Sequence, residues 1–329
     1  MVKLQKVHGS QNKFFLLDQT ELKYPLTNKE LINLAQKLTN PKLGLLNGAD
    51  GLLVVDNSDH PDAIGRMQVI NADGSFAAMC GNGLRTVGRY LAEKYQVKEF
   101  KVATPQADLQ VSCQPDWGNG VKTISVEISP VSFEDHDLPF TNLGGHQLIN
   151  QKVPVFAPNL KFTAVAVPNP HLISFVTPEI LKSNLLAELG TKLNRPNPYF
   201  PDGVNVSSVQ IINSDRLFVK TFERGVGFTN ACGTGMSAAS LVFALTNLQA
   251  AAFDKLLTIM NPGGFVQTRV HQKDHHYWIE LIGNATVTHQ IKVAEAELHQ
   301  SNPNFSNFRV ELTNEDMIYH NFIKNSLNN

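Results

Sequence analysis

Two short segments of this chain pair a sulfur nucleophile with glycines at the same spacing. They are Cys80-Gly81-Asn82-Gly83 and Cys232-Gly233-Thr234-Gly235, 152 residues apart. Each opens a run that reads as a helix: Leu84 to Tyr95, with Val87, Tyr90 and Leu91 on one face, and Thr234 to Leu248, apolar and rich in Ala and Ser. A cysteine just before a helix lies beside backbone N–H groups that have no intrahelical partner, and the helix dipole favours negative charge there. Such a thiol is expected below its usual pKa of about 8.5. The glycines let the backbone approach a ligand closely. Two helix starts aimed at one small anion make a carboxylate clamp.

With a substrate carboxylate held there, the α-carbon lies between two sulfurs. One sulfur, as thiolate, removes the α-proton; the other, as thiol, delivers a proton to the opposite face. Inversion needs both sides, because a single base returns the proton to the face it came from. Charge then develops on the carboxylate, where the converging N–H groups stabilise it. The scheme requires neither a metal nor pyridoxal phosphate, and no lysine motif suggests a pyridoxal anchor.

The elements that must position these residues also repeat. Asn12 sits in a polar turn before the strand Phe14–Leu17, and Asn169 sits in a polar turn before the strand Leu172–Phe175, 157 residues later. Two echoes at nearly one offset predict two related α/β domains facing across a cleft, where ligand pockets are common. Residues 28–39 read as a helix, Gly51–Asp56 and 66–71 as strands, and Asn71-Ala72-Asp73-Gly74 as a tight turn. In the second half, 178–189 reads as a helix, 204–212 and 216–222 as strands, and 266–270 with 276–282 as a hairpin. Ile291 to His299 reads as a helix returning to the first domain, and Glu315 to Ile323 as another. The expected domains are 1–145 with Cys80, 146–305 with Cys232, and an extension, 306–329, that returns to the N-terminal domain.

Composition excludes several classes. The chain has 329 residues, 42% hydrophobic and 17% charged, with a formal net charge of -1. That balance gives no basic field for nucleic acid or an anionic membrane. No apolar run of about 20 residues is present to span a bilayer, and the N-terminus does not read as a signal peptide. Three cysteines are not a disulfide framework, so a cytoplasmic protein with reduced thiols is expected.

The motifs resemble, in order, those of the diaminopimelate epimerase family. Asn71-Ala72-Asp73-Gly74-Ser75 with Met79-Cys80-Gly81-Asn82-Gly83-Leu84-Arg85 is similar to its first cysteine motif. Asn169-Pro170-His171 is similar to its central motif, and Gly203-Val204-Asn205-Val206 to its asparagine segment. Glu223-Arg224-Gly225 through Ala231-Cys232-Gly233-Thr234-Gly235 is similar to its second cysteine motif. The resemblance runs from about residue 4 to about 290 and implies two pseudo-symmetric domains, each with mixed or antiparallel strands around a central helix. It implies conversion of LL-2,6-diaminopimelate to the meso form, a step of lysine and peptidoglycan synthesis, by a homodimer without cofactor. Cys80 and Cys232 become acid and base. Backbone near Gly81, Asn82, Gly233 and Thr234 holds the reacting carboxylate, and Asn12, Asn71, Asn169, Asn205, Glu223 and Arg224 surround the substrate. Arg224 suits a distal carboxylate, because its fork pairs with both oxygens. The chain departs from the family at Gln11 and Lys13, at Ile70, at Phe76 and in its longer tail.

Plainer readings stand beside these. Asn12, Asn71, Asp73 and Asn169 are turn formers, but Asn205 lies in a strand, where Asn is disfavoured. His171 borders the site without being a base, and Cys113 reads as inert packing. His271, His275 and His276 lie close together but lack the partners of a metal site. A proline-, hydroxyproline- or histidine-type racemase, a non-catalytic or isomerase relative, and an amino-acid-binding module remain as alternatives. Asn82 and Glu223-Arg224 argue against the proline type, and retention of both cysteines against a non-catalytic relative.

Overall fold

The computed structural model describes residues 1–77, 79–118, 120–246 and 252–327. The chain divides into two compact units, Met1–Val126 with Ile282–Asn329, and Glu127–Leu281.

The first unit opens with β1 (Val2–Gly9), β2 (Asn12–Asp18), helix α1 (Asn28–Thr39), β3 (Gly51–Asp56), β4 (Ala63–Asn71) and the short β5 (Phe76–Ala77). Helix α2 (Gly81–Tyr95), β6 (Glu99–Ala103), β7 (Asp108–Trp117) and β8 (Val121–Ile128) follow. Pairing runs β1–β2 antiparallel, β2–β3 parallel, β3–β4 antiparallel, β4–β6 parallel and β6–β7 antiparallel. Helix α1 starts at a capping box, Thr27 with Glu30. It buries Leu31, Leu34, Ala35 and Leu38 in one cluster with Phe15, Leu17, Leu52 and Val54. Each such leucine contributes roughly 1.5–3 kcal/mol on burial. The opposite face of β3 turns to α2, where Leu53 meets Gly83. Burial on both faces explains why these strands are continuous apolar runs rather than alternating ones.

The second unit contains β9 (Gln151–Lys152), β10 (Lys161–Ala166), β11 (Pro170–Phe175), α3 (Pro178–Lys182), α4 (Leu185–Leu193), β12 (Asn205–Ile211), β13 (Arg216–Glu223) and the short β14 (Gly227–Phe228). Helix α5 (Gly233–Thr246), β15 (Leu256–Asn261), β16 (Gly264–Lys273) and β17 (His276–Asn284) complete it, with β17 carrying the chain back to the first unit. Its pairing repeats the first unit step by step: β10–β11 antiparallel, β11–β12 parallel, β12–β13 antiparallel, β13–β15 parallel, β15–β16 antiparallel. The sequence echo is therefore a duplicated fold, and each unit is a mixed sheet with a buried helix, α2 or α5. Helix α5 is buried at every residue from Gly233 to Ala244. Its Ser237 and Ser240 hydroxyls donate to carbonyls of the same helix, so small polar residues cost little there.

Some expectations differ from the structure. The helix expected over 178–189 is two, broken at Ser183-Asn184. Positions 247 and 248 of the expected long helix lie outside the described residues. The segment from Ile291 is the strand β18 (Thr286–Val293), followed by the single-turn α6 (Glu295–Leu298). Leu4 pairs with Ile291 and Val2 with Val293, so β18 extends the sheet past β1. That pairing ties the chain from Ile282 onward to the first unit, whereas boundaries at 145 and 305 were expected. The tail adds β19 (Arg309–Leu312), paired with β18, and helix α7 (Glu315–Leu327). Among the described residues, no helix is long and apolar enough to cross a membrane.

Candidate active site

In the first unit, Cys80 is the N-cap of α2, in extended conformation, and its sulfur accepts from the Gly83 N–H at 3.3 Å. Asn12 Oδ1 lies 3.9 Å from that sulfur and accepts from Asn82 Nδ2 at 3.3 Å. Cys80, Asn82 and Asn12, proposed from sequence, are thus neighbours. Asn71 closes β4 beside Gly51, and its amide donates to Ser75 Oγ at 2.9 Å within a turn that places Gly74 at φ +90°.

The second unit builds its counterpart from the same places in the fold. Cys232 precedes α5 and is buried, and the Met236 N–H donates to its carbonyl, closing the first helical turn. Thr234 Oγ1 lies 3.6 Å from Cys232 Sγ and 3.0 Å from His171 Nε2. The same ring nitrogen is 3.2 Å from Asn169 Oδ1. Because Asn169 Oδ1 can only accept, Nε2 carries the proton, which leaves the threonine hydroxyl hydrogen for the sulfur. His171 Nδ1 is buried without a partner among the described residues. Burial, with the Arg224 cation second, brings the His171 pKa down to about 3, so the ring is neutral. It orients Thr234 and Asn169 and is unsuited to be a base.

The second glycine of each motif is set by its own cysteine. A Cβ on Gly235 would lie 3.3 Å from Cys232 Sγ and 3.0 Å from Thr221 Oγ1. A Cβ on Gly83 would lie 3.4 Å from Cys80 Sγ and 2.7 Å from Leu53. The Cys-Gly-x-Gly spacing thus keeps a methyl group away from the sulfur that the helix start must present.

The electrostatics of Cys232 differ from the expectation. A helix start lowers a thiol pKa, and the Thr234 hydroxyl and Gly235 N–H act that way here. Burial outweighs them, and the Glu223 carboxylate adds to it, so the Cys232 thiol is pushed well up. In the free protein this sulfur keeps its proton.

Glu223 ends β13 as Asn71 ends β4, and it accepts a hydrogen bond from Thr229. Asn205 is committed to backbone at both ends of its amide. It donates to Pro170 O at 3.1 Å and accepts from the Arg224 N–H at 2.8 Å. That explains an asparagine at a strand start: it ties β12 to the Arg224 turn. Arg224 donates to Asp202 O through Nη1 at 3.0 Å. Cys113 is a free thiol in β7 whose pKa is raised, chiefly by burial. His271 is held between Asp254 at 2.6 Å and Glu280 at 3.1 Å.

Sequence reasoning missed Asp50 and Arg85. Asp50 Oδ2 accepts from Asn12 Nδ2 at 2.7 Å and from the Lys13 N–H at 2.8 Å. Arg85 is fully buried and donates to Asn82 Oδ1 at 2.9 Å. Arg85 stood inside the quoted motif, and its place one turn into a buried helix was the available signal. Asp50 carried none, since its partner lies 38 residues away.

The model of the family described as diaminopimelate epimerase matches residues 4–133 and 163–288. The chain is 49% identical to the diaminopimelate epimerase of Ligilactobacillus salivarius over 324 residues, 98% of each chain. It is 50% identical to that of Enterococcus faecalis, again over 98% of each. Among solved structures, a phenazine biosynthesis protein of the PhzF family from Bacillus anthracis superposes with a TM-score of 0.62 at 14% identity, over 88% of this chain and 97% of that one. A probable proline racemase from Agrobacterium radiobacter gives 0.60 at 16%, over 90% and 93%. At such identities these two report the fold alone.

Proposed function

The chain belongs to the diaminopimelate epimerase family, and from that premise we infer that it interconverts LL- and meso-2,6-diaminopimelate, with Cys80 and Cys232 as the facing acid and base. In this reading each cysteine-bearing half supplies one sulfur to the reaction. The thiolate of one takes the α-proton and becomes a thiol. The thiol of the other gives its proton to the opposite face and is left as a thiolate. The pair ends with one proton fewer on the second sulfur and one more on the first, so the reverse reaction swaps the roles. Backbone N–H groups at Gly81, Asn82, Gly233 and Thr234 bind the reacting carboxylate and stabilise the charge that moves onto it, each donor worth roughly 3 kcal/mol in the transition state. Asn12, Asn71, Asn169 and Glu223 receive the ammonium groups, and Arg224 pairs with the distal carboxylate. The same reading places the enzyme in the reducing cytoplasm, as a homodimer.

One observation carries this reading: both units present a sulfur at the start of a buried helix, at the same step of a duplicated fold. The test is incubation with LL-diaminopimelate in deuterated water, beside a panel containing proline and histidine. Formation of the meso isomer with one deuterium at the inverted carbon is expected. Either Cys80→Ala or Cys232→Ala should cut inversion by more than about a thousandfold. Turnover of another amino acid instead, or full activity in both single variants, would overturn it.

A further inference from the structure

The two asparagines beside Cys80 lie in a chain of hydrogen bonds with opposite chemistry at its ends. At one end is Arg85, fully buried, whose guanidinium can only donate. Its Nη2 donates to Asn82 Oδ1 at 2.9 Å and to Ser10 Oγ at 3.1 Å, and its Nε to Asn284 O at 3.2 Å. Nη1 is buried without a hydrogen-bond partner among the described residues, and no salt bridge to this guanidinium is seen among them. Glycines line it closely: a Cβ on Gly9 would lie 2.8 Å from Nη2 and one on Gly283 2.9 Å from Cζ. At the other end is the exposed carboxylate of Asp50, which can only accept, and which takes Asn12 Nδ2 and the Lys13 N–H on the same oxygen.

These ends leave the amides between them no choice. Because Arg85 only donates, Asn82 must turn its oxygen inward and its NH2 toward Asn12. Because Asp50 only accepts, Asn12 must turn its NH2 outward and its oxygen toward Asn82. That same oxygen is the one 3.9 Å from Cys80 Sγ. Turned over, either amide would face like against like. The sulfur therefore meets an amide oxygen, which accepts from a thiol and repels a thiolate. Among the described residues the second unit does not repeat the device: Ser237 occupies the place of Arg85 on α5, donating to Gly233 O, and a threonine hydroxyl faces the sulfur.

We propose that Arg85 and Asp50 are paired positioning residues that lock Asn82 and Asn12 so that Asn12 presents its oxygen, and not its NH2, to Cys80 and aims that sulfur's hydrogen in the state that carries one. Its catalytic meaning rests on the two-thiol reading, but the lock is read on the thiol itself, without turnover. The experiment is alkylation of the reduced full chain by iodoacetamide across pH 6 to 10, with the rate at Cys80 followed by peptide mass spectrometry.

Asp50→Ala removes the acceptor that holds the Asn12 NH2 outward and leaves only the Asn82 donor against its turning, and the Cys80 midpoint should fall by up to about one pH unit, near tenfold more thiolate below the midpoint. Asp50→Asn removes the charge but keeps an acceptor oxygen for both donors, and should leave the midpoint in place. Equal shifts in both variants would mean that the carboxylate acts by charge alone, and no shift in either would mean that Asp50 takes no part in holding Asn12; both results overturn the proposal. Arg85→Met moves the midpoint in opposite directions, down through the freed amides and up through the lost cation, so the Asp50 pair decides.

Discussion

The hydroxyl oxygen of Thr234 lies 3.6 Å from the sulfur of Cys232. With His171 donating to that oxygen, the hydroxyl hydrogen is available to the sulfur, and it opposes the burial that raises the thiol. A hydrogen bond to a charged group is worth about 1.5–3 kcal/mol. Thr234→Val keeps the shape and removes the donor, so kcat should fall about tenfold to a hundredfold. Thr234→Ser should restore most of it. Steady-state kinetics in both directions test this; a Val variant with wild-type kcat would show that the hydroxyl does not serve the thiolate.

Gly235 gives a second test, one of space rather than charge. Its added methyl group would crowd Cys232 Sγ, Thr221 Oγ1 and Ser207 Oγ, all within 3.3 Å. Small-to-large changes in a packed interior cost about 1–3 kcal/mol. Gly235→Ala should therefore lower the melting temperature by a few degrees while reducing kcat/KM much more, since the atom displaced is the reacting sulfur. Proportionate loss of both, or retained activity at reduced stability, would detach this glycine from the chemistry.

Much of this was legible because duplication doubles the signal. The paired Cys-Gly-x-Gly motifs and the paired asparagine turns mark the same steps of two matching sheets, and continuous apolar runs such as Phe14–Leu17 mark strands buried on both faces. What stayed hidden depends on register between distant segments. The segment from Ile291 to His299 reads as a helix, yet Ile291 and Val293 are alternate residues of a strand laid against Leu4 and Val2. Ser183-Asn184 interrupts a helix through a local cap, where Ser183 Oγ donates to Ile180 O. Asn205 betrayed itself as polar in a strand, but its bond to the Arg224 backbone needed the fold.

The tail supplies a third prediction. Helix α7 lies past residue 288, where the family match ends, yet it closes the first unit. Glu315 takes two bonds from Arg89 on α2, at 2.6 and 2.8 Å, and one from the Val287 N–H. Tyr319 is fully buried and meets the His8 ring edge-on at 4.9 Å. Glu315→Gln loses part of this bridge, and because the carboxylate is partly exposed the cost should be about 1–2 kcal/mol. Removal of residues 314–329 uncovers Arg89, His8 and the back of α2, and should abolish cooperative melting. A truncated chain that melts like the full one would make the tail an ornament.

The last prediction concerns acid. The His171 ring has a folded pKa of about 3 against an ordinary 6.5, because burial excludes its charged form. Below 6.5 the unfolded chain binds a proton that the native state refuses. The stability this group contributes is therefore whole above 6.5 and lost as pH falls from there toward 3. At pH 5 the loss from this one ring amounts to about 2 kcal/mol. His171→Gln can still offer an N–H to Asn169 and Thr234 but cannot be protonated. It should start less stable at pH 7 and lose less on acidification. Urea unfolding of both proteins at pH 7 and pH 5 measures the difference in slope, with losses shared by other groups cancelling between them. Parallel losses would mean that the buried ring takes up its proton without unfolding, and that its neutrality does not hold Thr234 in place.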